Sequence, residues 1–335
     1  MNREIDFLRD LKEETIDTLK QFEVKYHAEE NANELLVRLF VFKLRYISEK
    51  PRTVLVSNEL KEKLPTLQQR IICACNKMEK WVREGVNVNS FQSGSLYGSG
   101  GDRDYQNCLY GAVHLHLSAQ EEDELPVVKK NRFSKRSNYV LIALFTDDIA
   151  YFIDVVEHPK LEDPAWTSKE ILQIMVNNWP KLVEPYFIPG AKLTLDDGTE
   201  VELDDAALAM ATRNGITTAI SVKNGIAFPP NGGVTSDGTS SKAVSDADQI
   251  CNEAQAVQKE YIKHKKQLRR KAKEILIMHK IPVPRKSDVH FEYAEELGRY
   301  MVFDRTFKVG WDYQKQELLL FPKYSIEQVR EKAGI

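Results

Sequence analysis

The sequence predicts an α+β protein: a helical N-terminal region, a central, mostly antiparallel sheet with a packed helix, and a long basic helix followed by a small C-terminal α/β piece. Three observations predict it. Apolar residues recur at helical spacing over residues 3–48 and 66–83. From 107 to 157 the period drops to two, and apolar runs are punctuated by turn residues. From 244 to 280 helical spacing returns, in a stretch dense in lysine and arginine.

The first region is taken as residues 1–90. LRDLKEETIDTLKQF and ANELLVRLFVFKLRYI read as two helices, TVLVS (53–57) as a short strand and LQQRIICACNKMEKWV as a third helix. These helices are the expected surface for a protein partner or a second copy of the chain. The four cysteines, Cys73, Cys75, Cys108 and Cys251, read as free thiols in a chain of 335 residues without a secretory pattern. Cys73 and Cys75 are two apart on a helix and do not face each other, which argues against a metal pair.

Residues 91–243 form the expected β-rich core domain. NCLYGAVHLHLSA reads as one strand, and NYVLIALF, TDD and IAYFIDVVEH as a hairpin. Trp166 to Val183 reads as a helix, capped by Thr167 or Ser168, with Glu170 completing a capping box with Thr167. AKLTLDDGTEVEL and ITTAISVKNGIAFPP read as hairpins, the second around Asn224-Gly225 as a type I′ turn. NGGVTSDGTSS (231–241) reads as a flexible loop, with phosphate cradling by its N–H groups the competing reading. The remaining residues, 244–335, hold the long helix, broken by Pro282 and Pro284, then strands and a last short helix, IEQVREKA.

Charge excludes one class of explanation. The net charge is −3, so attraction to nucleic acid or a membrane surface must come from a local patch. No apolar run is long enough to span a bilayer. The start, MNREIDFLRD, lacks the apolar stretch of a secretory signal, and the expected location is the cytoplasm.

Reactive side chains gather in the strand region. His114 and His116 are two apart in an extended run and share one face. Lys135 and Arg136 precede the next strand; Asp154 and His158 lie on or just past the third. This mix suits RNA cleavage without metal or other cofactor. One of His114 and His116 takes or gives a proton, His158 is its counterpart, Lys135 and Arg136 stabilise the phosphate, and Asp154 orients a histidine. A metal held by the His-x-His pair with Asp154 or His158 is the weaker expectation, because no dense set of carboxylates or cysteines lies nearby. Two other readings stand beside these. One is a non-catalytic binding or self-assembling module whose histidine face is simply packed. The other is a nucleotidyltransferase-like enzyme in which Gly94-Ser95 grips phosphate and Asp102, Asp104 and Asp154 hold magnesium. A restriction-type nuclease does not fit, because the spacing of Asp147 and Asp148 to Glu157 and Lys160 is wrong.

Residues 259–280 carry nine lysines and arginines against two glutamates. Lys263, Lys266, Arg269, Arg270 and Lys273 are the expected nucleic-acid contacts. A solvated helix face is the plain alternative.

VHLHLS, KRSNYVLIALFTDDIAYFIDVVEH, Trp166 and ILQIMVNNWPKLVEPY resemble a family of uncharacterised bacterial proteins. Its members read like HHLHLG, then KRTGPLLFA, then YFIDV with a histidine, a tryptophan and a helix ending in NWP. The resemblance spans residues 107–245 and implies importance for His114, His116, Arg136, Asp154, His158, Trp166, Trp179, Arg213 and the Gly232-Gly233 loop. Its strand core is similar to that of RelE-type toxin ribonucleases, which implies an endoribonuclease-like effector of toxin or phage-defence type. The chain departs from the pattern at Ser137-Asn138, and by an insertion, PKLEDPA, expected to carry Trp166 away from the histidines.

Overall fold

The computed structural model describes residues 5–98, 104–118, 133, 137–160 and 163–320. Among them the helices are α1 (Phe7–Gln21), α2 (Ala32–Arg45), α3 (Asn58–Lys63), α4 (Gln69–Glu84), α5 (Tyr105–Tyr110), α6 (Lys169–Asn178), α7 (Pro180–Val183), α8 (Asp205–Arg213) and α9 (Ser241–Met278). The strands are β1 (Thr53–Val56), β2 (Ala112–His116), β3 (Tyr139–Phe145), β4 (Ile149–Glu157), β5 (Phe187–Pro189), β6 (Leu193–Thr194), β7 (Glu200–Val201), β8 (Ile220–Val222), β9 (Gly225–Ala227), β10 (Val289–Ala294), β11 (Arg299–Asp304), β12 (Val309–Asp312) and β13 (Glu317–Leu320). The fold class is α+β. No described helix is long and apolar enough to cross a membrane.

The chain divides into two compact units, each discontinuous in sequence. One comprises Phe22–His27 and Val37–Ser245; the other comprises Met1–Gln21, Ala28–Leu36 and Asp246–Ile335. The segment 1–90, read above as one helical region, is shared between them.

The central unit is built on a sheet in the order β1-β4-β3-β2. β3 pairs antiparallel on both sides, whereas β1 runs parallel to β4. A strand covered on both faces should be apolar throughout. β3, YVLIALF, is, with five consecutive buried residues. One face packs under α3 and α4, where Leu60, Ile71, Met78 and Val82 meet Leu115, Leu141, Phe152 and Val155. The other packs under α6, where Ile171, Leu172 and Met175 meet Val140, Ile142 and Ile153. Each such side chain contributes about 1.5–3 kcal/mol by leaving water, which fixes the register of all four strands.

Several local expectations are corrected. Residues 105–110 are helical, not the start of a strand: the Asp104 carboxylate accepts the Asn107 N–H at 3.0 Å, and Gly111 (φ +70°) ends the turn in the left-handed region. Residues 166–183 are not one helix. A 3-10 turn, Pro164–Thr167, precedes α6, and the chain breaks at Trp179-Pro180 before α7. The cap of α6 is Ser168, whose hydroxyl accepts the Glu170 N–H, while the Thr167 hydroxyl donates to the Pro164 carbonyl instead of forming the capping box. The β8–β9 turn has Lys223 and Asn224 as its loop, with positive φ only at Asn224, so it is not type I′. Gly225 is needed for another reason: a Cβ there would lie 2.4 Å from the Ile188 carbonyl of β5.

The loop 231–241 is pinned. The N–H groups of Asn231, Gly233, Thr235, Gly238 and Ser241 donate to carbonyls of Leu109, Cys108, Thr239, Thr235 and Gly233, and that of Thr239 to the Asp237 carboxylate. These donors are spent within the protein, which removes the basis for a phosphate cradle.

In the second unit, β10 to β13 form an antiparallel meander in sequence order. α1 lies on β10: Phe7 stacks on Phe291 at 5.3 Å, and the Asp10 carboxylate accepts the Phe291 N–H at 3.0 Å. α9 adds Ala272 and Leu276 against Phe307 and Val309. The expected helix IEQVREKA lies outside the described residues.

Candidate functional site

His114 and His116 point to the same side of β2, as the two-residue period requires. They lie opposite Ile142 and Val140 on β3. On the far side of β3, Val156 of β4 is opposite Val140, and the His158 N–H donates to the Asn138 carbonyl at 2.7 Å, carrying the pairing just past the strand. His158 is two residues beyond Val156 and so shares its face. Three imidazoles from two strands thus lean over one end of β3.

They meet there. One ligand atom from each of His114, His116 and His158 lies within 4.8 Å of the others. The rings of His116 and His158 are stacked at 4.9 Å, 11° apart, and His114 stands edge-on to both at 5.8 and 5.9 Å. His116 is buried, at 2% exposure, while His114 and His158 are half-buried. His158 Nδ1 lies 2.8 Å from the Pro159 carbonyl. A carbonyl only accepts, so Nδ1 carries the proton and the neutral ring keeps its lone pair on Nε2.

Trp166 completes the cluster, with its ring 4.9 Å from His114 and 5.4 Å from His158. The insertion after His158 therefore does not displace it. The Pro164–Thr167 turn holds it: Asp163 caps the turn, Trp166 Nε1 donates to the Lys160 carbonyl at 2.8 Å, and the buried Tyr110 hydroxyl donates to the Thr167 carbonyl at 2.9 Å. Burial raises the Tyr110 phenol well above its ordinary range and keeps it a donor.

The other expected site residues fall elsewhere. Asp154 does not orient a histidine: Lys63 Nζ lies 2.8 and 3.1 Å from its oxygens, and the Val155 N–H donates to it at 2.8 Å. Lys135 and Arg136 lie outside the described residues. The magnesium reading loses a second acid, while Asp102 lies outside the described residues too. Asp104 caps α5 and pairs with Arg45 at 3.2 Å, and Arg45 also donates to the Ser95 hydroxyl at 2.9 Å. Trp179 packs edge-on against Tyr151 in the core under α6, and Arg213 is exposed at the end of α8.

On α9, Lys263, Lys266, Arg270 and Lys273 are exposed. Lys259 extends the row, and the 4-3-4-3 spacing keeps all five within an arc of about 80° at 100° per residue. The buried residues Tyr261, Ala272 and Leu276 occupy the opposite side. Arg269 is not part of this row: it donates to the Arg285 carbonyl at 2.8 Å and lies over the Phe307 ring.

Two features carried little signal in the sequence. Lys259 was marked only by its spacing to Lys263. The buried His290, 3.0 Å from Asp288 and 3.6 Å from Asp10, joins residues some 280 positions apart, which no local pattern reveals.

Comparison with protein-family models, with curated proteins and with solved structures finds no match to this chain.

Proposed function

We propose that the chain is a nucleic-acid-acting protein that cleaves phosphodiesters at the His114–His116–His158 cluster, with RNA as its substrate class. The carrying observation is the convergence of three imidazoles, one of them buried, within 4.8 Å. RNA brings its own nucleophile, the 2′-hydroxyl, so a centre needs only to move protons and steady charge near the phosphate. Nε2 of His158 is a basic atom held ready for that exchange. Among the expected phosphate-stabilising and orienting residues, Asp154 is committed to Lys63, so the reading stands on the histidines and Trp166. The exposed basic row of α9 supports a polyanionic substrate. A cytoplasmic effector of toxin or phage-defence type is the matching biological reading; it rests on the sequence resemblance alone, which no family model or solved structure backs.

The test is cleavage of end-labelled total RNA, with and without EDTA, beside His116→Ala. Wild-type cleavage that falls by about 100-fold or more in the variant is expected. Equal cleavage by both proteins, or none by the wild type, overturns the reading. The rival, a packed and non-catalytic face, is favoured by the 2% exposure of His116 and gains from the second result. Separately, Lys263→Glu, Lys266→Glu and Arg270→Glu together should weaken RNA binding and flatten the dependence of log affinity on log salt by about two to three units. Unchanged binding in a filter assay across a salt series would remove α9 from the account.

A further inference from the structure

We infer that His114, His116 and His158 form the protein part of a site for a borderline divalent transition metal, zinc in the first place. The inference goes beyond the proposed function and alters its chemistry: a His158 Nε2 that holds an ion cannot also take a proton, so water on the ion would have to serve as the base. It rests on that reading only for what the ion would act upon, since binding is measurable without substrate.

Four observations carry it. The first is convergence: one ligand atom of each ring lies within 4.8 Å of the other two. A zinc ion sits about 2.0–2.1 Å from each histidine nitrogen, so a movement of about 1 Å per side chain brings all three into range. The second is the donor set. Among the described residues the group holds imidazoles and no carboxylate or thiolate, which suits zinc, copper, nickel or iron and not magnesium or calcium. The third lies behind a ligand. His158 Nδ1–H donates a hydrogen bond to the Pro159 carbonyl at 2.8 Å, which fixes the tautomer with its lone pair on Nε2, as ligating histidines are held by an outer partner. The fourth is the setting. His116 is 2% exposed, and Trp166 packs on the rings of His114 and His158, so the cluster is largely walled off from water. Three imidazoles at such close quarters have the composition of a ligand set.

Three protein ligands leave the fourth tetrahedral position for water or a phosphate oxygen, as in catalytic rather than structural zinc sites. The sequence has no Cys-x-x-Cys pattern to announce this site. Its ligands come from an x-spaced pair on β2 and a residue just past β4, and only strand pairing joins them.

The experiment uses the full chain, stripped with a chelator and dialysed. Zinc sulfate is titrated by calorimetry into the wild type and into His114→Ala, His116→Ala and His158→Ala, and cobalt chloride is titrated with its visible spectrum as readout. Expected are one ion per chain for the wild type, a tetrahedral cobalt spectrum, and at least about 100-fold weaker binding in each variant, since even outer partners of a ligand are worth 10- to 100-fold. Circular dichroism identifies any variant that fails to fold; the two half-buried positions keep the test open if His116→Ala does. No saturable zinc binding by the wild type, or binding unaltered in folded His114→Ala and His158→Ala, overturns the inference. RNA cleavage that survives EDTA in a protein binding no zinc sinks the ion and leaves the proposed function standing. Zinc bound at the three histidines without RNA cleavage upholds the ion and sinks that function.

Discussion

The four thiols show how burial sorts residues that look alike in the sequence. Cys73 is exposed, while Cys75 and Cys108 are buried. Desolvation pushes the thiols of Cys75 and Cys108 up to about 12, and Cys251 is raised from the ordinary value by the same cause. A raised pKa leaves the neutral, unreactive form in place well above pH 8. With a maleimide at pH 8, one thiol of the four should react quickly, mapped by mass spectrometry to Cys73, and the others only on unfolding. Fast labelling of Cys75 or Cys108 in the folded protein would contradict the packing of α4 or α5. The histidines follow the same logic of environment. His114 and His116 were placed on one face by the strand period, whereas the burial of His116 and the nearness of His158 come from β3 lying between their strands.

At the scale of elements, ends matter more than middles. α6 starts where Ser168 accepts the Glu170 N–H and donates to Asp205, whose other oxygen takes the Lys169 N–H at 3.0 Å. This ties α6 to the start of α8, next to the turn that carries Trp166. Ser168→Ala should cost about 1–2 kcal/mol, read as a lower midpoint in urea with an unchanged slope. No shift in the midpoint would mean that water replaces the hydroxyl. α9 makes the converse point. Its composition announced a basic helix, yet a run of nine cations does not form one surface. Arg269 borders the row of Lys259, Lys263, Lys266, Arg270 and Lys273, only about 40° from Lys273, yet the fold uses it against Phe307 and the Arg285 carbonyl.

Over the whole molecule, the chain's first helix and its last strands fold as one unit. Phe7 and Leu11 of α1 are fully buried, and Phe291 of β10 is their counterpart on the sheet. Deleting residues 1–21 removes that cover and leaves the Phe291 N–H without the Asp10 carboxylate. The amides of β10 to β13 should then lose most of their protection in hydrogen exchange, because an apolar sheet face without a partner layer is not stable in water. Retained protection there would show that α9 alone suffices for the meander. No local stretch of the sequence hinted at this, since contacts of such separation leave no local pattern.

What the sequence by itself determined is what short-range periodicity and composition encode. The change from helical to two-residue spacing marked the α+β class, the pairing of His114 with His116 on one face, the β3–β4 hairpin and the basic run of α9. The tertiary structure decided everything that depends on which element lies beside which. It brought His158 across β3 and set Trp166 over the rings despite the insertion. It gave Asp154 to Lys63 and Asp104 to Arg45, spent the amides of the 231–241 loop on its own neighbours, and turned Arg269 inward. The physical reason is common to all of these. A side chain's direction on its own element follows from backbone geometry over a few residues, whereas its partner is chosen by burial and register summed over the whole core.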